Sequence, residues 1–486
     1  MKIQKNITAL SITIAAVIFL FSPLSIIAQT STAINFPEII SSPIKGAPKL
    51  GKPILLMSDT RPLISEGMGW AAPAFWDWNG DGKKDLLIGE FGSGIEHGSC
   101  NGNFIRVYEN IGKNESPKFA DDFYYARMVD DMDARFYWKD NPNKYPVNLI
   151  DYGTPISIPQ FCCMSFIPQF VDLNNDGFPD LYSGRYSPGE VFWFRGTERG
   201  FLPGEKLKQK GDASIYKNNK ENYKDPTDWS YWAYSAVSFG DFTGDGLNDM
   251  IVGGLAGLRI SKNIGTATNP EFGLRELLLD PEGQAICDDK IRDIAIPHVV
   301  DWDGDGVLDL LVTSTYFTSK DKAVVFYKGV KVNNEYRFQQ GISLFDTKNN
   351  TKAFPGGYLN VYVTDWNNDG INDLLLGTKI ALVDGDFSPE INWSWDEEYG
   401  MLGKLNPGYY SGQKKKDIQE KIERAEKTEA EIGKLEMKKR QEEPVPGNYE
   451  KYITKEDIIL RHYGGNEAFK SLVHKGYIYL MLGEKK

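Results

Sequence analysis

One nine-residue pattern, D-x-[D/N/T]-x-D-G-x-x-D, constrains what this chain can fold into more than any other feature, because it occurs five times. DWNGDGKKD begins at Asp77, DLNNDGFPD at Asp172, DFTGDGLND at Asp241, DWDGDGVLD at Asp301 and DWNNDGIND at Asp365, at intervals of 95, 69, 60 and 64 residues. Self-similarity at such intervals marks a repeat architecture. Each copy sits in one frame. A short apolar run precedes it (APAFW, IPQFV, AVSF, PHVV, LNVYVT), and DLLIG, DLYSG, DMIVGG, DLLVT or DLLLG follows. Runs of this length, rich in branched and aromatic residues and bounded by turns, read as strands.

A third strand follows in FIRVYENIG (104–112), EVFWFRG (190–196), LRISKNIG (258–265) and AVVFYKG (323–329), and a fourth candidate in PKFADDF (117–123) and YRFQQ (336–340). Four antiparallel strands per repeat make a propeller blade. The expected fold class is therefore all-β, a β-propeller of about five four-stranded blades, with six or seven left open. The long first interval holds either a loop elaboration or an extra blade that lacks the acidic loop. Aromatics at 13% and 48 glycines suit strands and tight turns. The segment 411–445 breaks the period: dense in Glu and Lys, with Ile418, Ile422, Ala425, Ile432 and Leu435 at helical spacing, it reads as a helical insertion. HKGYIYLMLG (474–483) then returns as a strand. With KPILLMS (52–58) supplying the missing fourth strand of the last repeat, the two chain ends would share one blade and close the ring without a free edge.

Each loop offers oxygen ligands at positions 1, 3, 5 and 9 and a backbone carbonyl at position 7, a set that suits Ca²⁺. The candidate ligands are Asp77, Asn79, Asp81, Lys83 and Asp85; Asp172, Asn174, Asp176, Phe178 and Asp180; Asp241, Thr243, Asp245, Leu247 and Asp249; Asp301, Asp303, Asp305, Val307 and Asp309; and Asp365, Asn367, Asp369, Ile371 and Asp373. Copy three is the weakest, since Thr243 offers only a hydroxyl at position 3. The sixteen carboxylates at these positions repel one another unless neutralised. No copy is an EF-hand, because position 12 falls at Ile88, Ser183, Val252, Val312 and Leu376, where a Glu is required. Several structural Ca²⁺ ions are the expected cofactors.

Together the five loops and their DLL(I/V/L)G-like strands resemble the FG-GAP/VCBS repeats of secreted and cell-surface β-propellers, including the integrin α head. The resemblance spans about residues 50–380 and the last strand. It implies calcium at the acidic positions named above and a ring of five to eight blades, and it carries no function with it.

Lys2 and Lys5 precede an apolar run from Ile7 to Phe21, then Pro23 and small residues to Ala28, which reads as a signal peptide at 1–28 or an uncleaved anchor. Residues 29–48 then form a linker, and 49–486 the propeller with its insertion and closing strand. The expected location is secreted, periplasmic or cell-surface, with contact to a membrane only if the N-terminal segment is retained. The four cysteines, Cys100, Cys162, Cys163 and Cys287, allow three complete pairings that sequence does not choose between. A net charge of −12 argues against nucleic acid as a partner. Of the four histidines, His97 lies in a glycine-rich loop and His298 in a strand-like run; His462 and His474 complete the set. No GxSxG, HExxH, P-loop or dinucleotide fingerprint occurs. Aromatics crowd segments outside the period: Phe123, Tyr124, Tyr125, Phe136, Tyr137 and Trp138; Trp229, Tyr231, Trp232 and Tyr234; and WSWDEEYG (393–400). Exposed, they would suit a protein or carbohydrate ligand on one propeller face; packed, they would be core. A binding module is the leading expectation, and a polysaccharide-active enzyme or a structural envelope protein the alternative.

Overall fold

Among the described residues, four four-stranded antiparallel sheets and a fifth of six strands make the blades, each containing a strand that leads into one of the acidic loops. The computed structural model describes residues 39–485 except 66–68, 92–102, 129–155, 159–163, 187, 212–224, 256, 287–293, 315–322, 334, 347–355, 384–385 and 388–471. Blade 1 contains Ala72–Trp76, Asp85–Gly89, Ile105–Tyr108 and Tyr124–Tyr125. Blade 2 contains Gln169–Val171, Asp180–Gly184, Val191–Phe194 and Glu205–Lys206. Blade 3 contains Ala236–Gly240, Asp249–Gly253, Arg259–Asn263 and Phe272–Leu277. Blade 4 contains Ala295–Val300, Asp309–Ser314, Val325–Tyr327 and Ile342–Ser343. The protein is thus an all-β propeller of five blades.

Blade 5 joins the chain ends. Gly357–Thr364 and Asp373–Val383 pair, Leu472–Met481 lies beside the second of these, and Ile54–Leu55 completes the order on its far edge. Ile64–Ser65 adds to the same Leu472–Met481 strand. The closure expected from KPILLMS and the late strand is therefore present, and it leaves the ring no unpaired seam between its first and last elements.

Two outer strands differ from the sequence expectation. In blade 1 the outer strand is Tyr124–Tyr125, one step beyond PKFADDF, whose Phe119 makes a lone bridge to Asn110. In blade 4, Glu335–Phe338 turns back on Gly329–Val332 as a separate hairpin, and Ile342–Ser343 is the outer strand. Both windows carry the right alternation, but register is set by the neighbouring strand, which the window does not contain. The helical insertion 411–445, the first-repeat segment 129–155, all four cysteines and the N-terminal apolar run lie outside the described residues. Among the described residues no helix is long and apolar enough to cross a membrane. The described end of the segment read as a linker packs on the ring: Ile39, Ile44 and Ala47 are buried, and Ser42 N–H donates to Leu344 O at 2.8 Å.

The core lies between blades. Successive blades share apolar clusters, for example Leu87, Ile105 and Val107 of blade 1 with Phe166, Leu181 and Phe194 of blade 2. The glycine that ends DLLIG, DLYSG, DMIVG and DLLLG explains how close the blades come. A Cβ on Gly89, Gly184, Gly253 or Gly377 would meet the backbone oxygen of Phe166, Ser235, Ala295 or Ala71 at 1.9, 1.6, 2.0 or 1.9 Å. Each of those oxygens belongs to the chain entering the next blade, so the contacts run around the ring. The motif glycine is a packing requirement at the blade seam.

Candidate metal centre and ligand pocket

In every blade the acidic loop joins the first strand to the second, so the five loops occupy equivalent places on the ring. Local chemistry shapes each loop before any ion is considered. The carboxylate at position 1 gathers backbone N–H groups across the turn: Asp77 accepts from Gly80 and Gly82 at 2.8 and 3.0 Å, and Asp301 from Asp305 and Gly306 at 3.1 and 2.9 Å. Asp172, Asp241 and Asp365 do the same in their loops. Position 5 then accepts from the N–H of position 7: Lys83 to Asp81, Phe178 to Asp176, Leu247 to Asp245, Val307 to Asp305 and Ile371 to Asp369, at 2.8–3.0 Å. Position 4 takes a left-handed conformation, which is why it is Gly80, Gly244, Gly304, Asn175 or Asn368, with φ between 55° and 76°.

Position 9 does something the sequence did not announce. Asp85, Asp180, Asp249, Asp309 and Asp373 are each fully buried. One oxygen accepts the N–H of position 2 (Trp78, Leu173, Phe242, Trp302 or Trp366) at 2.8–3.4 Å. The other accepts an N–H from the end of the third strand (Asn110, Gly196, Asn263, Gly329 or Gly483) at 2.6–2.9 Å. This aspartate clamps loop to blade. Position 2 has a matching role: its side chain is buried in the cluster shared with the next blade, as Trp78 with blade 2 and Trp302 with blade 5. The available signal was the unbroken apolar identity of position 2 in a loop otherwise made of Asp, Asn, Thr and Gly.

Burial pushes the clamp carboxyls up, Asp85 to about 8 and Asp180 and Asp309 to about 6, with Asp249 and Asp373 moved the same way. Backbone N–H bonds oppose this only in part. A nearby cation would restore the ionised form. In the fourth loop Asp301, Asp303 and Asp309 bring one carboxylate oxygen each within 4.8 Å of one another, an arrangement able to hold a metal ion. Oδ1 of Asp303, on a side chain only 6% exposed, has no hydrogen-bond partner among the described residues. Asn367 Oδ1 at position 3 of the fifth loop is likewise unpartnered. A buried acceptor without a donor is costly, and an all-oxygen set with such orphans fits a hard divalent cation. Asn79 and Asn174 supply position 3 in the first and second loops. Thr243 departs: its hydroxyl is turned to Asp249 within its own loop.

A pocket of about 510 Å³ opens beside the fourth loop. The strap Pro43–Gly46 walls one side and Asp303 and Asp305 another, with Phe326, Ile342, Lys328, Gln339 and Gln340 completing it. Its walls thus combine apolar faces with carboxylate, ammonium and amide groups. Gly46 is pressed so close to the loop that a Cβ there would sit 2.3 Å from Asp303 O, which ties the strap to the loop.

The described aromatics outside the period are packed inward rather than displayed. Tyr231, Trp232 and Tyr234 are buried, with Arg275 over the Trp232 ring at 4.6 Å and Tyr186 against Tyr234 at 4.4 Å. Tyr125 is buried and Phe123 covers Arg106 at 3.9 Å, while Tyr124 is half-buried. Tyr125, Tyr231, Trp232 and Tyr234 therefore form no exposed aromatic platform, because packing consumes their faces. The side chain of Trp229, together with Phe136, Tyr137, Trp138 and 393–400, lies outside the described residues, as do His97 and His462 and the side chain of His474. His298 is a buried strand residue whose Nε2 accepts Val363 N–H at 3.1 Å, between blades 4 and 5.

A family model described as an FG-GAP-like repeat matches residues 172–252, from the second acidic loop to the strand that begins at Asp249. No curated protein matches the chain. Among solved structures, the chain is similar to an Agrocybe aegerita lectin described by its specific recognition of non-reducing terminal N-acetylglucosamine, at 16% identity, 75% coverage of this chain and 81% of that one, with a TM-score of 0.31. It is also similar to a thermostable family-43 glycoside hydrolase, at 10% identity, 70% and 86% coverage and a TM-score of 0.26. Likenesses this distant leave the ring's own chemistry as the ground for function.

Proposed function

We propose that this protein is a calcium-stabilised propeller that works outside the cell or at its surface as a binding module, taking a carbohydrate or protein ligand at the pocket beside the fourth loop. The pocket carries the reading. Its size falls in the range of small-ligand sites, and its mixture of apolar faces with a few convergent polar groups is what orients a polyhydroxylated ligand. Calcium would be held by the oxygens at positions 1, 3, 5, 7 and 9 of each loop. Its contribution is to neutralise clustered carboxylates and fix the turn, which adds stability by mass action. In the fourth loop that fixation also sets the pocket wall, since Asp303 and Asp305 belong to both. The apolar N-terminal run supports export, and calcium is plentiful there.

The test is a glycan and surface-protein binding screen of the mature chain, run in Ca²⁺ and in EGTA. Hits that weaken in EGTA and vanish when Gln339 and Ile342 are both changed to Ala support the proposal. A flat screen, or hits indifferent to those two changes, overturns it.

A further inference from the structure

The residue just before each clamped N–H, at the exit of the third strand, is Glu109, Arg195, Lys262, Lys328 and Leu482 in blades 1 to 5. Two of these reach the same loop positions with opposite charge. Lys328 Nζ bonds Asp303 Oδ2 and Asp305 Oδ2, positions 3 and 5 of the fourth loop, the latter at 2.5 Å. Glu109 bonds Tyr124 and Asn79, the latter position 3 of the first loop, and feels Asp81 at position 5, which Lys83 Nζ approaches at 3.4 Å; Glu109 Oε1 is buried and has no hydrogen-bond partner among the described residues. Arg195 and Lys262 instead pair outward, with Glu205 at 2.9 Å and Glu276 at 3.0 Å. Leu482 packs on the seam between blades 5 and 1.

We infer that this strand-exit position tunes each loop's cation affinity, with Glu109 acting as an added oxygen ligand for the first loop and Lys328 as a built-in competitor for the fourth. The inference rests on the proposed function, since it takes the loops to be cation sites. Its physical basis is simple. A dication drawn to Asp303 must share that carboxylate with an ammonium already seated on it, and like charges at this range repel. A dication in the first loop meets an ammonium only at Asp81, where Lys83 stands off at 3.4 Å, and gains the buried, unpartnered oxygen of Glu109, which lowers its energy there. The fourth loop, with four acidic positions the most acidic of the five, is thereby held back, and the pocket it borders becomes the part of the ring most responsive to the surrounding calcium level.

Calorimetric titration of the metal-free full chain with CaCl₂ tests this. Lys328→Met is expected to tighten one site by about tenfold, the scale on which outer residues tune metal sites, and adding Asp301→Asn should remove that tightened site. Glu109→Gln is expected to weaken a different site by about tenfold, and Lys328→Gln should repeat the effect of Lys328→Met. Calcium uptake with isotherms unchanged by these substitutions, or changed in the opposite direction, overturns this inference alone. No uptake by the wild type overturns both it and the proposed function.

Discussion

The clamp aspartate separates two roles that one substitution would otherwise confound. Asp373 is fully buried and accepts N–H bonds from Trp366 at 2.8 Å and Gly483 at 2.6 Å, the second joining residues 110 apart in sequence. Asp373→Asn keeps the shape but leaves one carbonyl oxygen where there were two acceptors, and points an amide donor at a backbone donor. Hydrogen bonds to a charged group contribute about 1.5–3 kcal/mol, and an orphaned buried N–H costs about 1–3 kcal/mol. Relief of carboxylate burial returns part of this, as the upward shift of Asp373 shows, so a net loss of about 2–4 kcal/mol is expected. Asp369→Asn is the control: Asp369 is exposed and accepts the Ile371 N–H and the Asn367 side-chain amide, each at 2.9 Å and both within the loop. Its loss in chelator should be within about 0.5 kcal/mol. Urea unfolding in EGTA, followed by tryptophan fluorescence, should then show the Asp373→Asn midpoint about 1 M lower, for a slope near 3 kcal/mol/M, with Asp369→Asn unmoved. In Ca²⁺ both should fall below wild type. If Asp373→Asn matches wild type in EGTA and differs only in Ca²⁺, the clamp reasoning is wrong and position 9 is a metal ligand and nothing more.

Gly184→Ala places a Cβ 1.6 Å from Ser235 O and should destabilise by at least about 1–3 kcal/mol through forced separation of blades 2 and 3, read as a drop in thermal midpoint. Arg106→Met removes the buried guanidinium that pairs with the Glu90 carboxylate, and should cost about 3–5 kcal/mol in chemical denaturation, more than exchanging the pair for apolar residues. Burial lowers His298 from its ordinary value to about 4, so the unfolded chain binds the extra proton between pH 6.5 and 4. The stability this imidazole supports is complete above pH 6.5 and falls by about 2 kcal/mol at pH 5; His298→Gln should remove that part of the acid sensitivity, and an unchanged pH profile would refute it.

Much of the ring was legible in the chain because each repeat carries its own punctuation: an alternating run, an Asp/Gly turn and a second strand ending in Gly. Even the closure was legible, since KPILLMS and HKGYIYLMLG were strands with no partner in their own repeats. What the sequence concealed is what depends on neighbours. The outer strands Tyr124–Tyr125 and Ile342–Ser343 are two residues long and are defined by the strand they pair with. The aromatics that looked available, Tyr231, Trp232 and Tyr234, are spent at seams, because a ring built from thin sheets needs large side chains to fill the spaces between blades. The aspartates show the same limit most sharply. A pattern that spells ligand at positions 1, 3, 5 and 9 gives one letter to two jobs: Asp301, Asp303 and Asp309 bring oxygens together in a cluster able to hold a cation, yet Asp301 spends both oxygens on N–H groups of its own loop, while Asp309 ties the loop to the third strand. Removing calcium should therefore loosen the loops and leave the blades paired. The fold and the proposed metal response should therefore separate in experiment, although the same five motifs carry both.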